Sequence, residues 1–214
     1  MFITFEGIEG CGKTTQLKLL AETLKQQGIP VSMTREPGGC PIADKIRSIL
    51  LDADHSAMIS LTELFLYAAA RSQHLNDIVR PALSAGSTVL CDRFTDATIA
   101  YQGYGRNIDI GLIQQLNKLA SNGIAPNLTI LMDCPVEVGL QRACARISNT
   151  IGAKEERFEL ESLPFHEAVR SGYLALAHND PDRFVIINAE LPVPEIADQI
   201  ATIVLNRLEQ HRAV

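Results

Sequence analysis

Gly7-Ile8-Glu9-Gly10-Cys11-Gly12-Lys13-Thr14 fits the phosphate-binding pattern G-x-x-x-x-G-K-[ST] at every fixed position. The apolar run 2–5 precedes this loop, and apolar residues recur at helical spacing over 14–27 behind it. A loop between a strand and a helix N-terminus can turn its N–H groups toward phosphate oxygens. We therefore expect residues 7–14 to bind a nucleoside triphosphate, with Lys13 reaching the β- and γ-phosphates and Thr14 binding Mg²⁺.

The rest of the chain alternates between short apolar runs and helical patterns. The apolar runs predict strands at 31–34, 87–91, 128–132 and 184–187. Helical spacing marks 41–51, 60–85, 109–121, 136–147, 163–178 and 194–210. Buried strands that are separated by helices indicate a parallel sheet covered on both faces. We predict an α/β fold, doubly wound, with a five-stranded parallel sheet and one domain over 1–214.

Composition excludes several classes of protein. Hydrophobic residues make up 46% of the 214 residues and charged residues 21%, as in ordinary globular proteins. The net charge of −6 argues against a broad nucleic-acid-binding face. No run approaches the roughly 20 apolar residues of a membrane span. Five scattered cysteines without a C-x-x-C pair indicate a reduced protein, so we expect a cytoplasmic location with no membrane partner.

Two features of the sequence indicate which class of protein uses the bound triphosphate. A regulatory GTPase would carry N-K-x-D, and the nearest match, Asn117-Lys118-Leu119-Ala120, lacks the carboxylate. Several isolated arginines suggest a kinase with a small anionic acceptor, because arginine offsets the repulsion between two charged substrates. A nucleotide-dependent regulatory switch with slow hydrolysis is the alternative of another class.

An ordered set of motifs resembles the thymidylate kinase family over residues 2 to about 190. The matching stretches are 5–15, 34–39 (TREPGG), 63–71 (ELFLYAAAR), 91–94 (CDRF), 101–104 (YQGY), 131–135 (LMDCP) and 157–159 (RFE). The resemblance implies a P-loop NTPase of the nucleoside monophosphate kinase type. It also implies transfer of the γ-phosphoryl group of ATP to dTMP with Mg²⁺, in dTTP biosynthesis, by a homodimer. A kinase of another nucleoside monophosphate is the alternative.

The same resemblance assigns residues to the acceptor. Glu9 would accept a hydrogen bond from the sugar 3′-hydroxyl, although a carboxylate in such a loop could simply be exposed. Tyr67 and Arg71 lie four residues apart on one helix face. The resemblance implies that Tyr67 stacks on the base and that Arg71 hydrogen-bonds it. The alternative places Tyr67 in the core and Arg71 at the surface. The remaining acceptor residues implied by the resemblance are Arg47, Arg93, Thr98 and Gln102.

Catalytic residues are expected at strand ends and in a lid at about 142–158. Asp92 and Arg93 follow a strand, where doubly wound folds bind ligands; we expect Asp92 to serve the metal, with Asp133 as its rival, and Arg93 to hold the acceptor phosphate. Some family members carry an arginine after the acidic residue of the loop, where this chain has Gly10. The missing charge would come from Arg146 and Arg157, with Arg142 next. The lid stretch Ser148–Glu156 is longer and less basic than usual.

Overall fold

The computed structural model describes residues 1–148 and 157–212 and contains one five-stranded sheet. Its strands are β1 (Phe2–Glu6), β2 (Val31–Arg35), β3 (Thr88–Asp92), β4 (Leu128–Asp133) and β5 (Phe184–Asn188). They lie in the order β2–β3–β1–β4–β5, and every neighbouring pair is parallel. The prediction of a doubly wound five-stranded parallel sheet is confirmed.

Nine α-helices are found in the described residues. They are α1 (Lys13–Gln26), α2 (Pro41–Leu51), α3 (Ser60–His74), α4 (Arg80–Ser84), α5 (Thr95–Thr98), α6 (Ile110–Ser121), α7 (Val136–Ser148), α8 (Leu163–Asn179) and α9 (Val193–Arg212). A wider π-helical turn over Leu75–Val79 joins α3 to α4, so the helix predicted over 60–85 is continuous. A second π-helical stretch, Ile99–Gly105, extends α5. The sequence patterns did not predict this helical segment.

The core lies on both faces of the central strand. All five residues of β1 are buried, because β3 and β4 flank it and helices cover it. Leu17, Leu20 and Leu24 of α1 share one apolar cluster with Ile200 and Val204 of α9. None of the helices in the described part of the chain is long and apolar enough to cross a membrane.

The strand order places a crevice at the carboxyl ends of β1 and β3. The chain leaves β1 toward β2 on one side and leaves β3 toward β4 on the other, and ligands bind where the direction of winding changes. In the register of the sheet, Phe5 on β1 and Arg35 on β2 both pair with Asp92. The loop after β1 and the residues after β3 therefore lie side by side.

Helix α8 packs closely against the segment 95–105. A side chain at Gly172 would lie 2.7 Å from the Tyr104 ring, and one at Gly105 would lie 2.6 Å from the Phe165 ring. Both contacts are too close for a Cβ atom, so glycine permits the approach. As a result, buried side chains of α8 reach the loop after β1.

Candidate active site

The loop between β1 and α1 forms the floor of the site. Lys13 is buried, and its Nζ donates to the carbonyl oxygens of Ile8 at 2.7 Å and Gly7 at 3.1 Å. Gly10 has φ +69°, and a Cβ there would lie 1.9 Å from the carbonyl oxygen of Gly139 on α7. The loop thus curls around the lysine ammonium and touches α7 backbone to backbone.

Thr14 and Asp92 form the pair expected at the metal. The Thr14 hydroxyl donates to Asp92 Oδ2 at 2.5 Å, and both residues line the same cleft as Lys13. Hydroxyl and carboxylate oxygens are the hard ligands that Mg²⁺ prefers, so this donor set fits the ion. Asp133, the other candidate for the metal, instead accepts hydrogen bonds from Arg170 on both carboxylate oxygens, at 2.7 and 2.9 Å. No cluster of three or more His, Cys, Asp or Glu side chains that could hold a metal occurs within 1–148 and 157–212.

Arg93 points its guanidinium at the phosphate loop. Its φ of +69° lies in the left-handed region, which a non-glycine residue adopts only when its surroundings enforce it. Nη1 donates to Gly7 O and to the Tyr173 hydroxyl, both at 2.9 Å, and Nη2 donates to Glu9 Oε1 at 3.2 Å. The guanidinium carbon lies 4.8 Å from the centre of the Tyr101 ring. The cation is therefore fixed beside the loop from several sides.

Glu9 is a buried carboxylate, so the alternative of an exposed loop residue is wrong. Tyr101 donates its hydroxyl hydrogen to Oε1 at 2.5 Å, and Nδ1 of His166 lies 3.3 Å from Oε2. Burial alone would raise the pKa of Glu9, but His166, Arg93, Lys13 and Tyr101 together lower the pKa to about 2. The carboxylate therefore stays ionised at neutral pH.

Arg71 also lines the cleft and is buried, so the alternative of a surface arginine is wrong. Four of its five N–H groups bond within the described residues, which leaves one N–H on Nη1. The acceptors are Glu36 Oε2 at 2.7 Å, Asn117 Oδ1 at 2.6 Å, Phe94 O at 3.1 Å and Thr98 Oγ1 at 2.8 Å. Tyr67, one turn before Arg71, is half-buried and lies 6.5 Å from Phe158 between ring centres.

Gln102 is oriented by a buried carboxylate. Its Nε2 donates to Glu63 Oε1 at 2.8 Å, and both side chains are 1% exposed. One amide hydrogen of Gln102 thus faces Glu63. Because Gln102 also lines the cleft, its carbonyl oxygen and its second amide hydrogen remain for a ligand.

One cleft of about 850 Å³ joins these parts. All seven residues expected at the acceptor line it: Glu9, Arg47, Tyr67, Arg71, Arg93, Thr98 and Gln102. Lys13, Thr14 and Asp92 line it as well. Residues that were assigned from motifs far apart in the sequence therefore meet around one space.

The lid arginines are the exception. Arg157 is buried, and it donates from Nε to Leu50 O and from Nη2 to Glu63 Oε2, both at 2.5 Å. Lys13 therefore lines the cleft, whereas the guanidinium of Arg157 is hydrogen-bonded to Leu50 and Glu63. Arg146 lies in the last turn of α7, and its side chain is outside the described part, as are residues 149–156 of the predicted lid. Arg142 donates to Ala189 O at 3.0 Å.

Three polar residues at the loop were missed by the sequence patterns. Tyr101 and Tyr173 hold Glu9 and Arg93, and His166 faces Glu9 from α8. Tyr173 also donates its hydroxyl hydrogen to Glu6 Oε2 at 2.8 Å. His166 and Tyr173 lie seven residues apart on the buried face of α8, and that spacing was the available signal.

The phosphate loop follows the central strand of a parallel sheet, and Asp92 and Arg93 lie at the end of the neighbouring strand. One cleft is lined by all of them. Together these features define a P-loop kinase of the nucleoside monophosphate type. Comparison with known families identifies thymidylate kinase over residues 5–200. The chain belongs to the thymidylate kinase family, as its motifs predicted.

Individual relatives agree with this family. The thymidylate kinase of Geotalea uraniireducens is 63% identical, over 98% of each chain. That of Geobacter sulfurreducens is 59% identical, over 97% of each chain. The crystal structure of thymidylate kinase from Ehrlichia chaffeensis has a TM-score of 0.76 at 35% identity and covers 95% of this chain and 98% of its own.

Proposed function

We propose that this protein transfers the γ-phosphoryl group of ATP to dTMP and releases ADP and dTDP. The observation that carries the proposal is the single cleft lined both by residues of the phosphate loop and by Tyr67 and Arg71. Membership in the thymidylate kinase family supports the same acceptor. The comparisons give no support to another nucleoside monophosphate.

On the ATP side, the residues 7–14 would surround the phosphates with backbone N–H groups. Lys13 is held at the centre of the loop and would turn its ammonium from the carbonyls of Gly7 and Ile8 toward the phosphate oxygens. Thr14 and Asp92 would hold Mg²⁺, which supplies positive charge to the phosphates when it is bound. The chain itself would position and neutralise the nucleotide.

On the acceptor side, Arg93 and Arg47 would bind the dTMP phosphate. Arg93 lies against the loop carbonyl of Gly7, so a phosphate bound by its guanidinium would lie next to the transferred group. Glu9 would accept the hydrogen bond of the sugar 3′-hydroxyl as an ionised carboxylate. Catalysis would then rest on alignment and on charge, as phosphoryl transfer requires.

Thymine would bind between Tyr67 and Arg71. The ring of Tyr67 offers a stacking face, and the remaining N–H of Arg71 would donate to the O4 atom of the base. The carbonyl of Gln102 would accept from the N3 hydrogen, with Thr98 beside it. Cytosine presents a donor at position 4 and an acceptor at N3, so each contact would place like groups together and reject it.

The proposal is tested by coupled turnover assays with ATP and one monophosphate at a time. We expect the highest kcat/KM with dTMP and far lower values with CMP, UMP and AMP, with dUMP measured beside them. Acceptor-independent hydrolysis, or a higher kcat/KM with another monophosphate, would contradict the assignment.

We also propose a cytoplasmic homodimer. Leu61 and Phe65 on α3 and Leu112 on α6 are exposed apolar side chains, with Phe65 51% exposed, and α3 packs beside α6. Apolar faces of this kind suit a two-fold interface between identical chains. The buried cysteines Cys11, Cys40, Cys91 and Cys134 are outside any disulfide, which suits the reducing cytoplasm.

Replacement of Phe65 by glutamate is expected to convert the dimer to monomers, because a charge would be buried without a partner at the interface. Sedimentation velocity at several protein concentrations would measure the change. Ile186→Glu, which alters another exposed apolar residue on β5, is the matched control and should leave the sedimentation coefficient unchanged. A monomeric wild-type protein would disprove the dimer.

The two lid arginines are expected to differ. Arg146→Ala should lower kcat on the order of 10²-fold with little change in the dTMP dissociation constant, if its side chain closes over ATP. Arg157→Ala should also lower the free energy of unfolding, by about 2 kcal/mol, because buried Glu63 loses a charge-assisted hydrogen bond while Arg106 remains 3.3 Å away. Turnover, calorimetry and urea unfolding separate the two effects, with exposed Arg80→Ala as the control. Wild-type kcat in both variants would show that neither arginine supplies the catalytic charge, and Arg142→Ala would then be measured.

A further inference from the structure

The two oxygens of the Glu9 carboxylate have different surroundings. Oε1 accepts from Tyr101 at 2.5 Å and from Arg93 at 3.2 Å. Oε2 is buried and has no hydrogen-bond partner among the described residues. The nearest cationic or polar group recorded at Oε2 is His166 Nδ1, at 3.3 Å.

His166 is an unusual residue for its position. It is 0% exposed on α8; its Nδ1 approaches Glu9 Oε2 at 3.3 Å without the alignment of a hydrogen bond, and neither ring nitrogen has another partner in the described structure. Apart from these two nitrogens and Glu9 Oε2, Gln16 Oε1 is the one other such buried side-chain atom in the described part of the chain. Buried polar atoms without partners oppose folding, and in native proteins they often mark a functional role.

The pairing of Arg93 with Glu9 gives a second, independent observation. Arginine and a carboxylate that meet freely tend to form two parallel hydrogen bonds. Here Arg93 touches Oε1 alone, while Oε2 faces His166.

We propose that His166 is a positioning residue that holds Glu9 by its inner oxygen and so keeps the carboxylate oriented for the acceptor sugar. The inference rests on the proposed function, in which Glu9 accepts from the 3′-hydroxyl. The charged and titratable groups recorded around Glu9 are Lys13, Arg93, Tyr101 and His166. Of these, His166 acts on Oε2 from α8, whereas Arg93 and Tyr101 hold Oε1.

The test compares two acceptors, dTMP and its 3′-deoxy analogue, in each variant. The ratio of their kcat/KM values reports the hydrogen bond of the 3′-hydroxyl and cancels effects common to both. We expect the wild-type ratio to be about 10 or more, the range for one hydrogen bond to a charged group. His166→Phe should bring the ratio close to that of Glu9→Gln, and His166→Gln, which retains an amide donor, should restore part of it.

Stability supplies a second readout. His166→Phe leaves the buried Glu9 Oε2 without a polar neighbour, so the melting temperature should fall together with the ratio, and His166→Gln should recover part of both. His178→Phe, an exposed histidine on the same helix, is the control and should change neither value. A His166→Phe enzyme that keeps the wild-type ratio, or loses activity equally with both acceptors, overturns the positioning role while dTMP kinase activity stands. A wild-type enzyme inactive with dTMP overturns the proposed function instead.

Discussion

Replacing Lys13 by alanine is expected to lower kcat/KM for dTMP phosphorylation at least about 10³-fold. The ammonium group lies inside the loop on the carbonyl oxygens of Gly7 and Ile8, where it can meet the phosphates without leaving the site. Removing it takes away a fixed cation from the charge that develops on the transferred group. Steady-state turnover and ATP binding by calorimetry measure the loss.

The fold should survive this change, since the recorded polar contacts of Lys13 all lie within its own loop, at Gly7, Ile8 and Cys11. Circular dichroism and thermal melting establish that, and Lys25→Ala in the last turn of the same helix is the matched control. Near-normal turnover by a folded Lys13→Ala protein would mean that the loop is not the site of phosphoryl transfer.

Replacing Arg93 by alanine is expected to lower kcat by roughly 10²–10³-fold, as for the loss of one fixed electrostatic donor. The guanidinium is held by Gly7 O, Tyr173 and Glu9, so it is already placed beside the loop before substrates bind. Its effect should fall on kcat more than on recognition of thymine, because its guanidinium contacts the phosphate loop through Gly7 and Glu9. Rapid kinetics with both substrates saturating would measure it.

Arg93→Lys gives the comparison, because lysine keeps the charge but cannot reproduce three contacts from a planar group. We expect it to recover part of the activity. If Arg93→Ala raises KM and leaves kcat unchanged, the residue binds the acceptor without stabilising the transition state.

The features that sequence predicted well depend on local patterns. The phosphate loop is eight adjacent residues with fixed spacing, and each buried strand is a short apolar run. The acceptor residues followed from a resemblance whose motifs each lie within one element. Their meeting in one cleft then follows from the parallel sheet, since all strand ends point to the same edge.

The features that sequence missed depend on contacts between distant segments. Glu9 and His166 are 157 positions apart, and nothing near either one indicates the other. Arg157 stands in a polar stretch and was expected at the phosphates, but it pairs with Glu63, 94 positions earlier. The available signal was Glu63 in the apolar run ELFLYAAAR, because a carboxylate that is buried with such a run requires a cation beside it.

The backbone contact between Gly10 and Gly139 limits which mutations this enzyme can accept during evolution. An arginine in place of Gly10 would put a positive charge directly beside Glu9, but its Cβ would overlap the Gly139 carbonyl. A Cβ at Gly139 would in turn lie 2.5 Å from the Glu9 carbonyl. A single substitution at either glycine therefore strains the contact between the loop and α7, and the helix would have to shift before an arginine could stand at position 10.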